Sequence, residues 1–319
     1  MPLGEFELID RYFKRPVNRA VLGIGDDCAL LTLTPGMQLA TSTDMLIEGR
    51  HFLSTVAADR LGHKALAVNL SDLAACGARP FACTLALAMP RADPDFLGPF
   101  AQGLLALADQ HGCELVGGDT TQGPLALCVT VFGEVPPGQA LLRSGAKPGD
   151  TVWVSGTTGD ARLALEVFRG SVQLAGEAFE QVRLAMELPQ PRVALGQALR
   201  GIANSAIDIS DGLLGDLRHI LSRSRVGATI DADAVPRSDV MRLLDPKLQR
   251  LCTLAGGDDY ELLFTAAPDA AGRVEEAGRH AGVTVTAIGR IETHDGLRLI
   301  DRHGATLDER HHSFDHFLS

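Results

Sequence analysis

The sequence predicts two α+β domains, each combining β-strands with amphipathic helices. The chain has 319 residues, which is long for a single hydrophobic core. Apolar strand-like runs and segments of helical periodicity occur together in both halves. A Pro136-Pro137-Gly138 step separates the halves, so we expect residues 1–137 to form the first domain and residues 138–319 the second.

The first half contains a short amphipathic helix over Glu5–Phe13, where apolar residues have helical spacing. Pro and Gly residues, which favour turns and helix ends, bound most of the elements that follow. In order, these predicted elements are strands at Ala29–Leu33 and Leu39–Ser42, a helix from Asp59 to Gly77, a strand at Phe81–Met89, a helix that follows Asp93-Pro94 and stops at Gly112, and a strand at Leu125–Val135.

The second half restarts after the Lys147-Pro148-Gly149-Asp150 turn. Its predicted strands are Thr151–Ser155, Ala206–Ile209, Leu262–Thr265, Thr284–Ile288 and Leu297–Ile300. Its predicted helices are Asp160–Phe168, a short one near Val193–Leu199, and Gly212–Ser222.

The amino-acid composition and charge argue against several classes of protein. The net charge is −11 and no basic stripe is present, which argues against a nucleic-acid partner. The six cysteines form no C-x-x-C pair and mostly lie in apolar runs, as expected in a reducing compartment. The N-terminus has no apolar signal-peptide core, and no run reaches 18 apolar residues. We therefore expect a cytoplasmic protein that does not cross a membrane.

Six short acidic motifs follow or interrupt hydrophobic runs. Like-charged carboxylates about 4 Å apart repel by roughly 4 kcal/mol at an effective dielectric near 20, and a divalent metal relieves that repulsion. Mg²⁺ held by carboxylates usually also holds a phosphate. The pattern therefore favours metal-dependent phosphate chemistry. The motifs are Gly25-Asp26-Asp27, Ser42-Thr43-Asp44, Ser71-Asp72, Gly117-Gly118-Asp119, Asp208-Ile209-Ser210-Asp211-Gly212 and Gly256-Gly257-Asp258-Asp259.

Each motif also has a structural interpretation. A Gly-Asp pair taken singly is most often turn chemistry. Asp72 is the most informative residue because it lies within an apolar helical run, although an ion pair with Lys64 or Arg79 would explain it as well. Gly156–Gly159 could bind a phosphate or simply join a strand to a helix.

Standard nucleotide signatures are absent: there is no P-loop, no G-x-G-x-x-G and no protein-kinase motif set. Arg143 and Lys147 are candidate cations for a nucleotide phosphate, and His51 is more often structural than functional in such a setting.

Taken in order, the motifs resemble the thiamine-monophosphate kinase family, within the superfamily that also includes aminoimidazole ribonucleotide synthetase and selenophosphate synthetase. The resemblance covers nearly the whole chain. The segments that carry it are Gly4–Ile9, Gly23–Ala29, Ser42–Asp44, Lys64–Ala75, Gly117–Thr121, Arg143–Ala146, Ile209–Leu213, Gly256–Leu262 and Phe314–Phe317.

This resemblance implies an aminoimidazole ribonucleotide synthetase-like fold and a homodimer whose N-terminal domains pair through their sheets. It also implies that ATP binds in a cleft between domains with several Mg²⁺ ions. The metal positions it implies are Asp27, Ser42, Thr43, Asp44, Asp72, Asp119, Asp208 and Asp211. The ATP positions are Gly118, Asp119, Arg143 and Ser210, and the positions facing thiamine monophosphate are His51, Asp258 and Phe314.

Two of these positions depart from the family pattern. Asp258 stands where relatives often carry Glu, and Phe314 stands where an aromatic residue with a polar edge is common. The acidity of the first position and the ring of the second are kept.

The implied reaction is transfer of the γ-phosphoryl group of ATP to thiamine monophosphate, giving thiamine diphosphate and ADP. Three alternatives remain open from the sequence: another ATP-dependent enzyme of the superfamily, such as a selenophosphate or aminoimidazole ribonucleotide synthetase; a non-catalytic metal-binding module; and a metal phosphohydrolase. Cys28 lacks the lysine and glycine-rich surroundings that selenophosphate synthetases carry, and no Ca²⁺-loop pattern is present.

Overall fold

The computed structural model describes residues 4–308. The chain divides into two compact units, the first made of Met1–Leu73 and Ala78–Gly138 and the second of Ala74–Gly77 and Gln139–Ser319. Each unit contains one β-sheet. No helix within residues 4–308 is long and apolar enough to cross a membrane.

The first unit is a four-stranded mixed sheet with three helices. Its strand order is β1-β4-β2-β3, and all neighbours are antiparallel except β2 and β3. The elements are α1 (Glu5–Tyr12), β1 (Gln38–Ile47), α2 (Ala58–Ala75), β2 (Arg79–Met89), α3 (Pro94–His111), β3 (Glu114–Gln122) and β4 (Ala126–Val135).

Helices α2 and α3 touch at backbone level. A Cβ atom on Gly103 of α3 would lie 1.8 Å from the carbonyl oxygen of Asp59 in α2, so only glycine allows this approach. Asp93 caps α3 by accepting the N–H of Asp95, and Gly112 ends it in the left-handed conformation. The close contact fixes α2, which carries Asp72.

The second unit is a six-stranded mixed sheet in the order β10-β7-β9-β5-β8-β6. Its main core joins apolar residues of α7, including Leu213 and Leu217, to sheet residues such as Val152 and Leu263. The elements are β5 (Thr151–Ser155), α4 (Asp160–Phe168), α5 (Gly176–Glu187), α6 (Val193–Ala198), β6 (Ala203–Asp208), α7 (Leu213–Ser224), β7 (Gly227–Asp231), α8 (Asp239–Arg242), α9 (Pro246–Ala255), β8 (Leu262–Ala266), α10 (Ala271–Ala281), β9 (Val285–Glu292) and β10 (Leu297–Ile300).

The predicted fold class, two α+β domains, is confirmed. One predicted strand is wrong: Ala29–Leu33 forms no strand, and only Leu30 makes an isolated bridge, to Leu22. Its apolar side chains Ala29, Leu31 and Leu33 instead pack against a small core cluster that includes Phe81. The alternating apolar residues of this segment therefore pack against the sheet, and the segment is not one of its strands.

Glu134 of β4 is a buried anion in the first unit, with only 1% of its surface exposed. It accepts hydrogen bonds from Arg19 Nη2 at 2.5 Å, Arg79 Nη2 at 2.6 Å and the Thr34 backbone N–H at 2.6 Å. Burial raises the pKa of Glu134, but these donors outweigh it and lower the pKa from 4.5 to about 2. Arg79, the sequence-based candidate partner of Asp72, thus pairs with Glu134.

This pKa predicts an acid-dependent loss of stability. Because the folded pKa is depressed, the stabilisation is complete above about pH 4.5 and disappears as the pH falls towards about 2. Since Arg19 and Arg79 are partly solvated, we expect Glu134→Gln to cost about 2 kcal/mol at pH 7.

We would measure the thermal midpoints of the parent chain and of Glu134→Gln between pH 7 and pH 2.5. The two midpoints should converge at the acid end. The exposed carboxylate variant Asp239→Asn serves as the control, with no pH-dependent difference expected. A gap between Glu134→Gln and the parent chain that stays constant with pH would contradict the assignment.

Candidate active site

Strand β1 and helix α2 bring several predicted site residues to one face of the first sheet. The Ser42 hydroxyl donates to Asp72 Oδ2 at 2.5 Å. The backbone N–H of Asp44 donates to Asn69 Oδ1 at 2.9 Å, and Asn69 Nδ2 donates to the Ala65 carbonyl within α2. Since side chains two residues apart on a strand share a face, Ser42, Asp44 and Asp72 form one polar group beside a largely buried helix.

Thr43 lies on the opposite face of β1. Its hydroxyl is 2.8 Å from the Thr130 hydroxyl of β4, directly across the ladder. Because neighbouring strand residues point to opposite faces, Thr43 can contribute only its backbone on the side of Ser42 and Asp72.

A cavity of about 720 Å³ in the first unit collects a second set of predicted residues. Asp27, Gly118 and Asp119 line it together with Asp26 and residues of α1. Gly118 has φ +151°, and a Cβ there would lie 1.8 Å from the Leu85 carbonyl oxygen. Only glycine fits this position, because the backbone of β2 occupies the space that a side chain would need. The Gly117-Gly118-Asp119 motif lies within β3.

Ser42 and Asp44 of the first set lie on β1, whereas Gly118 and Asp119 of the second set lie on β3. Strands β1 and β3 are the outer members of the order β1-β4-β2-β3. Three strand spacings separate them by about 14 Å. Within residues 4–308, no group of three His, Cys, Asp or Glu side chains is arranged to hold a metal ion by itself. The first unit of a single chain therefore presents two separate sets of oxygen donors.

His51 follows β1 and folds back onto its end. Its Nδ1 accepts the Ile47 backbone N–H at 3.0 Å, so the neutral ring carries its proton on Nε2. The ring is half-buried. The structure therefore places His51 at the end of β1, with Nδ1 held by the backbone.

In the second unit, Asp208 ends β6, and Ser210 and Asp211 form the loop before α7. One carboxylate oxygen of Asp216 accepts the backbone N–H groups of Ser210, Asp211 and Gly212 at 3.1, 3.2 and 3.1 Å. Burial, followed by the charges of Asp208 and Asp211, raises the pKa of Asp216 to about 8. Asp216 therefore anchors the loop that carries two of the predicted site residues.

A second loop packs against this one and carries Asp258. The backbone N–H of Asp258 donates to the Ser210 carbonyl at 2.9 Å, and that of Tyr260 donates to the Ile209 carbonyl at 2.8 Å. A Cβ on Gly257 would lie 2.3 Å from the Ser210 carbonyl oxygen. The structure thus brings Ser210, Asp211 and Asp258 together within the second unit.

Arg143 is exposed and lies beside β6, the edge strand of the second sheet. The carbonyl of its neighbour Leu142 accepts the Ala206 N–H of β6 at 2.9 Å. Three of the four amides of the Gly156–Gly159 loop are used within the unit: Gly156 donates to Thr284, Thr158 to Pro236, and Gly159 to the Asp259 carboxylate. Phe314, expected to face the substrate, lies outside the described residues, as does the rest of the Phe314–Phe317 motif.

Sequence reasoning missed Asn69, Asp216 and Tyr260. Asp216 had a visible signal, since it stands between Leu213, Leu214 and Leu217 on the apolar side of a predicted helix. A carboxylate in such a stripe requires buried donors. Asn69 and Tyr260 gave no comparable signal, because their hydrogen-bond partners are distant in sequence or depend on local backbone geometry.

Residues 25–135 match the family described as "AIR synthase related protein, N-terminal domain", and residues 147–302 match its C-terminal domain. The chain is 45% identical over 325 residues to the thiamine-monophosphate kinase of Salmonella typhimurium, covering 100% of both proteins. The chain belongs to the thiamine-monophosphate kinase family. The aminoimidazole ribonucleotide synthetase-like architecture expected from the resemblance is thereby confirmed.

Solved structures of the thiamine-monophosphate kinase family share this fold. The crystal structure of the kinase from Stenotrophomonas maltophilia matches with a TM-score of 0.87 and 46% identity, covering 96% of this chain and 99% of that one. A structure titled "AaThiL complexed with AMPPCP and TMP" matches with a TM-score of 0.78 and 29% identity, covering 98% and 97%. The family assignment therefore extends over both units.

Proposed function

We propose that this chain transfers the γ-phosphoryl group of ATP to thiamine monophosphate, producing thiamine diphosphate and ADP. The observation that carries the proposal is the full-length match to a thiamine-monophosphate kinase, extending through both units. A relative described with AMPPCP and TMP supports ATP as the co-substrate.

The donor chemistry fits Mg²⁺. Side-chain oxygens of Ser42 and Asp72 meet at 2.5 Å, and Asp27 and Asp119 line one cavity. Mg²⁺ is usually held by one or two carboxylates together with phosphates and water, so a complete protein cage is not required. When bound, it would supply positive charge that offsets repulsion between the two anionic reactants. The residues we propose as its ligands are Asp27, Ser42, Thr43, Asp44, Asp72, Asp119, Asp208 and Asp211.

No protein base is needed for this reaction. The second pKa of a phosphate monoester is about 6, so the accepting oxygen is already ionised at pH 7. The protein residues therefore bind and orient the reactants. We propose that Gly118, Asp119, Arg143 and Ser210 hold ATP, and that His51 and Asp258 hold thiamine monophosphate, with Phe314 as a further contact.

We further propose a homodimer built by the N-terminal domain, residues 1–137, with residues 138–319 forming the second domain. Leu39, Met45 and Ile47 on one face of β1 expose 50%, 55% and 41% of their surface, which favours pairing. The roughly 14 Å between β1 and β3 also favours a shared site, because a second copy can complete each incomplete donor set.

The free cysteines Cys28, Cys76, Cys83, Cys113, Cys128 and Cys252 support a cytoplasmic location.

One experiment tests the shared site. Chains carrying Asp72→Asn and chains carrying Asp119→Asn are each expected to be inactive alone. If one site takes these residues from different chains, mixing should restore up to about a quarter of wild-type activity through heterodimers with one intact site. Absence of recovery, with subunit exchange verified by mass, would refute the shared site.

The reaction itself is tested by measuring ADP and thiamine diphosphate with Mg²⁺ and ATP. Thiamine monophosphate, free thiamine and an unrelated phosphate monoester are compared as acceptors, with and without a chelator. We expect equimolar ADP and thiamine diphosphate with thiamine monophosphate alone, and none with chelator. Release of inorganic phosphate without thiamine diphosphate would instead indicate a phosphohydrolase.

A further inference from the structure

The loop between α9 and β8 holds an uncommon backbone. Asp258 has φ +70° and Tyr260 has φ +51°, so two non-glycine residues separated by one position are left-handed. Both are fixed by the backbone bonds to Ser210 and Ile209 described above. Non-glycine residues persist in this region only when their surroundings over-determine it, often at functional sites.

Asp259, between these two residues, bonds to the loop that precedes α4. Its carboxylate oxygens accept the Gly159 N–H at 2.9 and 3.0 Å. Burial, then the charges of Glu261, Asp160 and Asp258, raise the pKa of Asp259. Asp259 thus anchors the loop, which separates its role from that of Asp258.

Tyr260 makes a side-chain contact within the loop. Its hydroxyl donates to Asp258 Oδ1 at 3.0 Å, and the tyrosine is only 7% exposed. Asp258 itself is half-buried. A carboxylate accepts several hydrogen bonds through its two oxygens, so a bond from the tyrosine to one oxygen can fix its plane. A rigid ring with a buried body is well suited to that task.

We propose that the Tyr260 hydroxyl is a positioning group that sets the direction of Asp258 towards a hydrogen-bond donor of thiamine monophosphate. This inference rests on the proposed function. Aspartate is one methylene shorter than glutamate, so its carboxylate cannot be adjusted along a longer stem. The orientation of Asp258 is therefore set by its neighbours, and Tyr260 supplies that contact.

The test compares Tyr260→Phe with the parent chain. The substitution removes one oxygen and keeps the packed ring. We expect KM for thiamine monophosphate, and its Kd by calorimetry, to rise about five- to tenfold, the range of one hydrogen bond. KM for ATP and kcat should change less than about twofold, because only acceptor binding is affected. Tyr12→Phe, at the only other tyrosine, is the control.

A double-mutant cycle separates positioning from a purely structural role. Adding Tyr260→Phe to Asp258→Ala should change the Kd for thiamine monophosphate less than about twofold, since the residue it positions is gone. An unchanged Kd in Tyr260→Phe alone, or an equal rise in both backgrounds, would overturn the inference. If the wild-type chain binds thiamine monophosphate but forms no thiamine diphosphate, the proposed reaction is refuted. The Kd values measured by calorimetry would still test the role of Tyr260 in that case. Wild-type chain that does not bind thiamine monophosphate refutes both proposals.

Discussion

Replacing Asp72 by Asn is expected to reduce kcat/KM by at least about a thousandfold, as loss of a key electrostatic group at a phosphoryl-transfer site does. Asn has the same shape and can still accept the Ser42 hydroxyl, which lies 2.5 Å from the carboxylate. What it lacks is the negative charge that would hold a phosphate-bound cation. Stability should therefore change little while turnover is lost.

The matched control for Asp72→Asn is Asp109→Asn, which removes an exposed carboxylate that pairs with Arg15 on the same unit. Surface ion pairs contribute little, so this variant should retain its rate. Steady-state kinetics and thermal melting of both variants distinguish a loss of turnover from a loss of stability. Asp44→Ala and Asp119→Ala should resemble Asp72→Asn. Near-normal rates in any of the three would contradict the metal arrangement.

The largest effect on stability is expected for Arg192→Met. Arg192 pairs in bidentate fashion with Glu261, with Nε–Oε2 at 2.7 Å and Nη2–Oε1 at 2.5 Å, and Glu261 is only 5% exposed. Burial lowers the pKa of Arg192, but the hydrogen bonds and charge of Glu261 outweigh it and raise that pKa. Removing the cation leaves a buried unpaired carboxylate, at a cost of about 3–5 kcal/mol.

Urea unfolding with a signal from the second unit measures this loss. Adding Glu261→Gln to Arg192→Met should recover part of the stability, because the stranded charge is removed. Arg242→Met, which breaks a pair with the exposed Asp239, should shift the midpoint little. If Arg192→Met and the double variant have equal stability, the buried charge of Glu261 is not the cause of the loss.

Helix α3 shows why part of the fold was predictable. Both of its ends depend on nearby residues: Asp93 accepts the Asp95 N–H, and Gly112 adopts a left-handed turn. Such signals act within a few positions, so the sequence displays them directly. Strand β5 and helix α4 were also predicted with their observed bounds.

Elements whose stability comes from distant partners were missed or misplaced. The sequence analysis did not identify β7, α5, α8, α9 or α10. Ala29–Leu33 had the pattern of a strand, but it pairs only through the isolated bridge of Leu30 to Leu22. The separation of Ser42 and Asp72 from Asp119 follows from strand order, which no local pattern encodes.

The order β1-β4-β2-β3 has a consequence for how this enzyme behaves in a test tube. If each reaction centre needs the outer strand of two different molecules, activity per milligram is not constant. It should decline on dilution once the concentration drops below that at which the molecules separate, and reconcentration should bring it back.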